Sequence, residues 1–141
     1  MSRTAEDGLG GAPRGTRGER KRAVILDAAG HVFLAKGYVG ASMDEIAAVA
    51  AVSKQTVYKH FADKRVLLAA VSAVGFELLA KRITDATERL SNPRSRLAAM
   101  ARAYVRHGVE NPALYRLMFG AYLTGPDDVR PAIERAAAEK T

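Results

Sequence analysis

Three helix-start signals follow one another near the middle of the chain: Ser42 opens the run SMDE, Ser53 opens SKQT, and Asp63 precedes KRVLL. A serine or aspartate in that position accepts a hydrogen bond from one of the unpaired amides of the first turn. A glutamate three places on, here Glu45, can reach back to the cap. The spacing leaves room for two helices of two or three turns each, and the second of them is the stretch VSKQTVYKHF at 52–61. Helices that short do not persist alone in water. This one is also a poor helix former by propensity, so buried side chains have to hold it.

At about 100° per residue, Val57 and Phe61 fall together and define an inward side. Gln55 and Lys59 lie opposite, Thr56 sits beside them, and Tyr58 and His60 occupy the flanks. Two short helices joined by a tight turn at Ala51-Val52, after a longer supporting helix, describe a helix-turn-helix. In that motif the second helix enters the DNA major groove. Gln55 suits adenine and Lys59 suits guanine O6/N7, while Thr56, Tyr58 and His60 suit phosphates. Lys64, in the first turn of the next helix, is expected to form a phosphate site with that helix's free amides.

The remaining punctuation predicts an all-α chain. Over 19–36, Ile25, Ala29, Val32 and Phe33 recur on one helical side, and Gly37 is the natural stop. Ile46, Ala47 and Ala50 form the inner side of the short helix from Ser42. A long helix over 64–90 is expected to bury Leu67, Val71, Val74 and Leu78 before Ser91-Asn92-Pro93 breaks it. Next comes a helix over 94–109 with Leu97, Ala101, Tyr104 and Gly108 on one side. Asn111-Pro112 then starts one carrying Leu114, Leu117, Met118 and Tyr122, which Gly125-Pro126 ends. The tail from Asp127 looks like a further helix start with little apolar surface. No strand pattern and no repeat is visible.

Charge supports a polyanionic partner. The chain has 141 residues, a formal net charge of +7 and a pI of about 10.0. Residues 1–18 are Gly-rich and polar, a flexible arm by composition. Arg14, Arg17, Arg20, Lys21 and Arg22 run from that arm into the first helix; Arg14, Arg17, Arg20 and Arg22 are candidates for phosphates or the minor groove, with Arg17 and Arg20 chosen, and a solvated tail is the alternative. With no cysteine and three scattered histidines, neither a disulfide framework nor a metal site is expected. No Gly-rich phosphate loop and no nucleophile–base pair suggests an enzyme or a cofactor. No apolar run approaches the roughly 20 residues that span a bilayer, and no secretory signal is read. The expectation is a cytoplasmic protein with no membrane partner.

The run SMDEIAAVAAVSKQTVYKHFADKRVLL resembles the DNA-binding domain of the tetracycline-repressor (TetR) family of transcriptional regulators, and ILDAAGHVFLAKGYVGAS resembles that family's first helix with its Gly37-Tyr38 exit. The resemblance implies a homodimer on a double-stranded operator, with residues 19–79 binding DNA and residues 80–141 forming part of an effector and dimerisation domain. It implies DNA contacts at Ser42, Thr56, Tyr58, His60 and Lys64, largely to phosphate; Lys54 is placed with them. ENPALYRLMFGAYL is similar to one subgroup of the family's ligand domains, which makes Phe76, Met100, Tyr104, His107, Met118 and Phe119 candidates to line a pocket for a small hydrophobic effector. The expected function is a regulator, a repressor released by that ligand. A nonspecific DNA-coating protein and a helical protein-interaction module remain alternatives.

Two departures from the family stand out. Its helix-helix turn often carries glycine where this chain has Ala51, so a left-handed residue there would cost about 1 kcal/mol. Family members are also usually longer and pair mainly through their last two helices. This chain reaches about the start of a seventh helix, which leaves truncation, another mode of pairing or a monomer open.

Overall fold

The computed structural model describes residues 15–124, 127 and 129–138. Arg14, the Gly125-Pro126 break and the Tyr122 side chain lie outside the described residues. The described residues form seven helices and no strand.

Helix α1 (Arg17–Gly40) begins inside the stretch expected to be a flexible arm, because Thr16 caps it. The Glu19 amide donates to Thr16 Oγ1 at 3.1 Å, and the Thr16 amide donates back to the Glu19 carboxylate at 2.7 Å. This reciprocal capping box satisfies two amides that would otherwise be unpaired. The regular helix ends at Gly37, whose φ of 76° suits a residue without Cβ. By length and composition α1 is apolar enough to cross a bilayer, which the sequence reading did not anticipate. Its Ile25, Ala28, Ala29, Val32 and Phe33 are instead buried in the protein core.

Helices α2 (Met43–Ala50) and α3 (Lys54–His60) are the two short elements. The Glu45 amide donates to Ser42 Oγ at 3.1 Å. The expected return bond from the Glu45 carboxylate is absent from the Ser42 cap, because Lys36 of α1 pairs with that carboxylate. Ala51 closes α2 in the left-handed conformation, φ 59° and ψ 42°. The Ala51 amide donates to the Ala48 carbonyl at 3.2 Å and the Val52 amide to the Ala47 carbonyl at 3.1 Å. The chain therefore accepts about 1 kcal/mol of strain to turn as sharply as a glycine-containing turn.

Helix α4 (Lys64–Thr87) is capped by Asp63, whose carboxylate accepts the Arg65 and Val66 amides at 2.9 and 3.0 Å. Leu67 and Val71 are buried as expected, but Val74 and Leu78 are exposed. The buried row continues at Gly75 and Leu79 instead. It follows a four-residue step because α6 (Pro112–Thr124) comes so close that a Cβ on Gly75 would lie 2.7 Å from Met118 Cγ. Helix α4 stops at Thr87, short of Leu90, and Arg96 Nη1 binds the Thr87 and Leu90 carbonyls at 2.7 and 2.9 Å.

Helix α5 (Pro93–Glu110), capped by Asn92, is turned relative to expectation. It buries Ala99 and His107, while Leu97, Ala101 and Tyr104 face solvent. Helix α7 (Val129–Ala138) corrects the reading of an apolar-poor tail, since Val129 and Ile133 are buried in the same cluster as Ile25, Phe33, Ile46, Val57, Phe61 and Leu67. Each fully buried side chain of this size contributes roughly 1.5–3 kcal/mol. That continuous core is what keeps a seven-residue α3 helical.

Candidate nucleic-acid interface

Helix α3 carries two basic residues in its last turn and no acidic residue in its first. Val57 and Phe61 are fully buried, and they fix the helix by the side facing α1 and α2. Arg22 stands 4.8 Å above the Phe61 ring and covers this anchor from the solvent side. Such a contact contributes about 0.5–1 kcal/mol at an exposed site. Anchored this way, α3 leaves Lys54, Gln55, Tyr58 and Lys59 exposed and Thr56 and His60 half-buried at its margins. That division is the one the helical geometry predicts.

The cap of α3 occupies part of this set. The Thr56 amide donates to Ser53 Oγ at 3.1 Å, and the two hydroxyls lie 2.8 Å apart. Lys54 is not free either: its ammonium lies 2.9 Å from the Asp44 carboxylate of α2. That hydrogen bond, with the accompanying charge attraction, raises the Lys54 pKa above its usual value. Ser42, at the N-terminus of α2, uses its oxygen to cap Glu45 and keeps its hydroxyl proton available.

Lys64 occupies a place the sequence did not foresee. Its Nζ donates to the Tyr38 carbonyl at 2.8 Å and the Ala41 carbonyl at 3.0 Å, and it lies 4.4 Å from the centre of the Tyr38 ring. The α4 amides expected to share a phosphate with it are bound by Asp63. The phosphate site therefore does not exist in the expected form. The two carbonyls follow the turn at Gly37, and which long side chain reaches them is settled by tertiary packing.

The basic start of α1 lies next to the α2–α3 turn. A groove of about 440 Å³ is lined by Arg17, Arg20, Lys21 and Val24 on one side and by Ala50, Ala51 and Val52 on the other. Arg20 Nη1 donates to the Gly15 carbonyl at 2.6 Å, so this arginine also ties down the residue ahead of the helix. The arrangement sets three cations beside the N-terminus of α3, where an anionic backbone flanking that helix would pass.

The candidate effector residues do not all share one place. Phe76 and Phe119 meet edge to face with ring centres 5.1 Å apart, and Tyr104 lies 6.2 Å from Phe119. Tyr115, absent from the sequence list, completes this group at 4.7 Å from Phe119 and within 3.3 Å of the Tyr104 hydroxyl. At these spacings the rings pack on one another, with Tyr104 at the exposed edge of the group. Met118 is fully buried against Gly75, whereas Met100 is exposed. His107 is buried with both ring nitrogens unpartnered among the described residues. Burial chiefly, and the nearby Arg82 charge after it, hold its pKa below the usual histidine value against the opposing pull of Glu110. Among the described residues no cluster of three or more possible metal ligands occurs.

Residues 25–71 match the family model described as bacterial regulatory proteins, tetR family. The chain is 38% identical over 120 residues to the HTH-type transcriptional activator FasR of Mycolicibacterium smegmatis, covering 83% of this chain and 55% of FasR. Among solved structures, a putative TetR-family transcriptional regulator from Mesorhizobium loti MAFF303099 is similar at 36% identity and a TM-score of 0.68, covering 89% of this chain and 62% of that one. A putative fatty acid metabolism regulator from Clostridium perfringens is similar at 28% identity and a TM-score of 0.62, covering 82% of this chain and 62% of that one. The chain thus spans just over half the length of FasR and under two thirds of the two solved structures.

Proposed function

We propose that this chain, whose residues 25–71 match the model of the tetR family of bacterial regulatory proteins, is a sequence-specific, DNA-binding transcriptional regulator of that family. One observation carries the reading. Helix α3 is pinned by Val57 and Phe61, and it turns Gln55, Tyr58 and Lys59 outward together. Gln55 and Lys59 read base edges, to adenine and guanine respectively. Ser42, Thr56, Tyr58 and His60 hold phosphates and so fix the register. Arg17 and Arg20 extend the contact along the backbone or into the minor groove. Lys54 joins by exchanging Asp44 for a phosphate. Lys64 has one ammonium proton left over from its two carbonyl bonds.

The active unit in this reading is a homodimer, because two half-sites are read by two copies of α3. Residues 19–79 are the DNA-binding part, and residues 80–141 belong to the effector-sensing part. The effector is a small hydrophobic molecule, which enters by displacing rings of the Phe76, Tyr104, Phe119 group, with Met100, His107 and Met118 nearby. The Clostridium perfringens relative, named as a fatty acid metabolism regulator, makes fatty acids and their derivatives the first compounds to try. The proposed sign is repression relieved by the ligand. FasR is named an activator, so a reporter fusion in which the operator is moved relative to the promoter tests the sign directly.

The central experiment is fluorescence anisotropy at fixed salt, comparing the duplex upstream of the chain's own gene with random duplex. A specificity ratio near one would sink the regulator reading and favour a nonspecific DNA-coating protein. Replacing Tyr58 and Lys59 together by alanine is expected to remove about 1–3 kcal/mol per lost base contact from operator binding, with a smaller loss on random duplex from the missing phosphate contact and charge.

A further inference from the structure

A second concentration of positive charge lies far from the DNA interface. A groove of about 400 Å³ between α4 and α5 is lined by Arg82, Asp85, Arg102 and Arg106, with Ala86, Ala99 and Ala103 completing it. The three alanines leave the space open, and the arginines converge on it from two helices. Arg82 belongs to α4, about five turns and roughly 27 Å along the helix from Lys64.

The charges in this groove are incompletely compensated. Arg82 Nε is buried and has no hydrogen-bond partner among the described residues, while its Nη1 lies 3.3 Å from Glu110 Oε1. Asp85 is held 2.9 Å from Lys81. The guanidinium groups of Arg102 and Arg106 have no hydrogen bond or ion pair among the described residues. They sit one helical turn apart, where like charges destabilise a helix by a few tenths of a kcal/mol. Placing Arg82 opposite them adds to that repulsion. A bound anion would remove it.

We propose that the α4–α5 groove is a binding site for a small phosphorylated anion. Guanidinium forks match phosphate oxygens two at a time, which a single carboxylate would not exploit across three arginines. Arg102 and Arg106 facing Arg82 across low-dielectric walls also raise the local anion concentration, with Asp85 already held by Lys81. The site is separate from the aromatic group proposed to admit a hydrophobic effector, and it stands whether or not the chain regulates transcription.

Calorimetric titration of the whole chain with inorganic pyrophosphate, at fixed physiological ionic strength, tests this. The wild type is expected to bind saturably. The double variant R102Q/R106Q is expected to lose about tenfold or more in affinity, with unchanged circular dichroism and unchanged operator binding. The variant R17Q/R20Q, altered in the other basic groove, is expected to bind pyrophosphate like the wild type. No saturable binding overturns the proposal. So does an equal affinity in R102Q/R106Q, or a loss confined to R17Q/R20Q. Binding to phosphatidylglycerol vesicles without binding to pyrophosphate overturns it as well, since the surface would then serve a membrane.

Discussion

Helix α3 is seven residues long and α5 is eighteen, yet the shorter one is the better anchored. Within α3 Val57 is completely buried, Phe61 at its C-cap is buried as well, and the exposed positions of α3 are almost all polar. Helix α5 buries one alanine and one histidine while Leu97, Val105 and Val109 stand 67%, 60% and 73% exposed. The histidine arrives without hydrogen-bond partners among the described residues. The difference teaches that local helix strength and contribution to the core are separate matters. Helix α3 is a weak helix held by its neighbours, whereas α5 is a sound helix whose apolar residues are not used by the neighbours described here.

The largest expected effect breaks the anchored side. Phe61→Ala should lower the unfolding free energy by about 3–5 kcal/mol, read from urea denaturation. It also removes the ring beneath Arg22. A loss under about 1 kcal/mol would mean that α3 is not held by the core as described.

A smaller effect sharpens the polar side of the comparison. His107 has a depressed pKa in the folded chain, so the unfolded chain takes up its proton first as the pH falls. Stability from this group is therefore whole above the usual histidine pKa of 6.5 and is lost as the pH drops from there toward the lower folded value. Thermal unfolding followed from pH 7.5 to pH 5 should show that decline in the wild type, and His107→Leu should flatten it. An unchanged slope in the variant would assign the decline to other groups.

The smallest expected effect concerns the exposed row. Leu97→Lys and Val109→Lys should each change stability by no more than about 0.5 kcal/mol if those side chains face solvent in the working protein. A clear loss, above all one that grows on dilution, would show that a second copy covers α5.

The N-terminal half was legible because its information is local. Ser42, Ser53 and Asp63 each accept the amides that their position in sequence predicts. Gly37 and Ala51 take the positive φ values that their turns require. What escaped the sequence is what depends on distant partners. The row 67, 71, 74, 78 was a fair periodic reading, but the approach of Met118 to Gly75 decides that 75 and 79 are buried instead. In the site, Gln55, Tyr58 and Lys59 fall where helical geometry puts them. Lys54 and Lys64 do not stand free, because Asp44 and the Tyr38 and Ala41 carbonyls come from other helices or turns. The six candidate effector residues share an apolar character, and apolar character alone does not distinguish a pocket lining from rings packed on one another.

The two carbonyl bonds of Lys64 have a mechanical consequence. They fasten the first turn of α4 to the junction between α1 and α2, so α4 cannot slide there without breaking charge-assisted bonds. The helix is 24 residues long, or roughly 36 Å at 1.5 Å per residue. It therefore behaves as a spoke set in a hub. A sideways push on its far end would be carried to the junction of α1 and α2 through bonds that resist sliding.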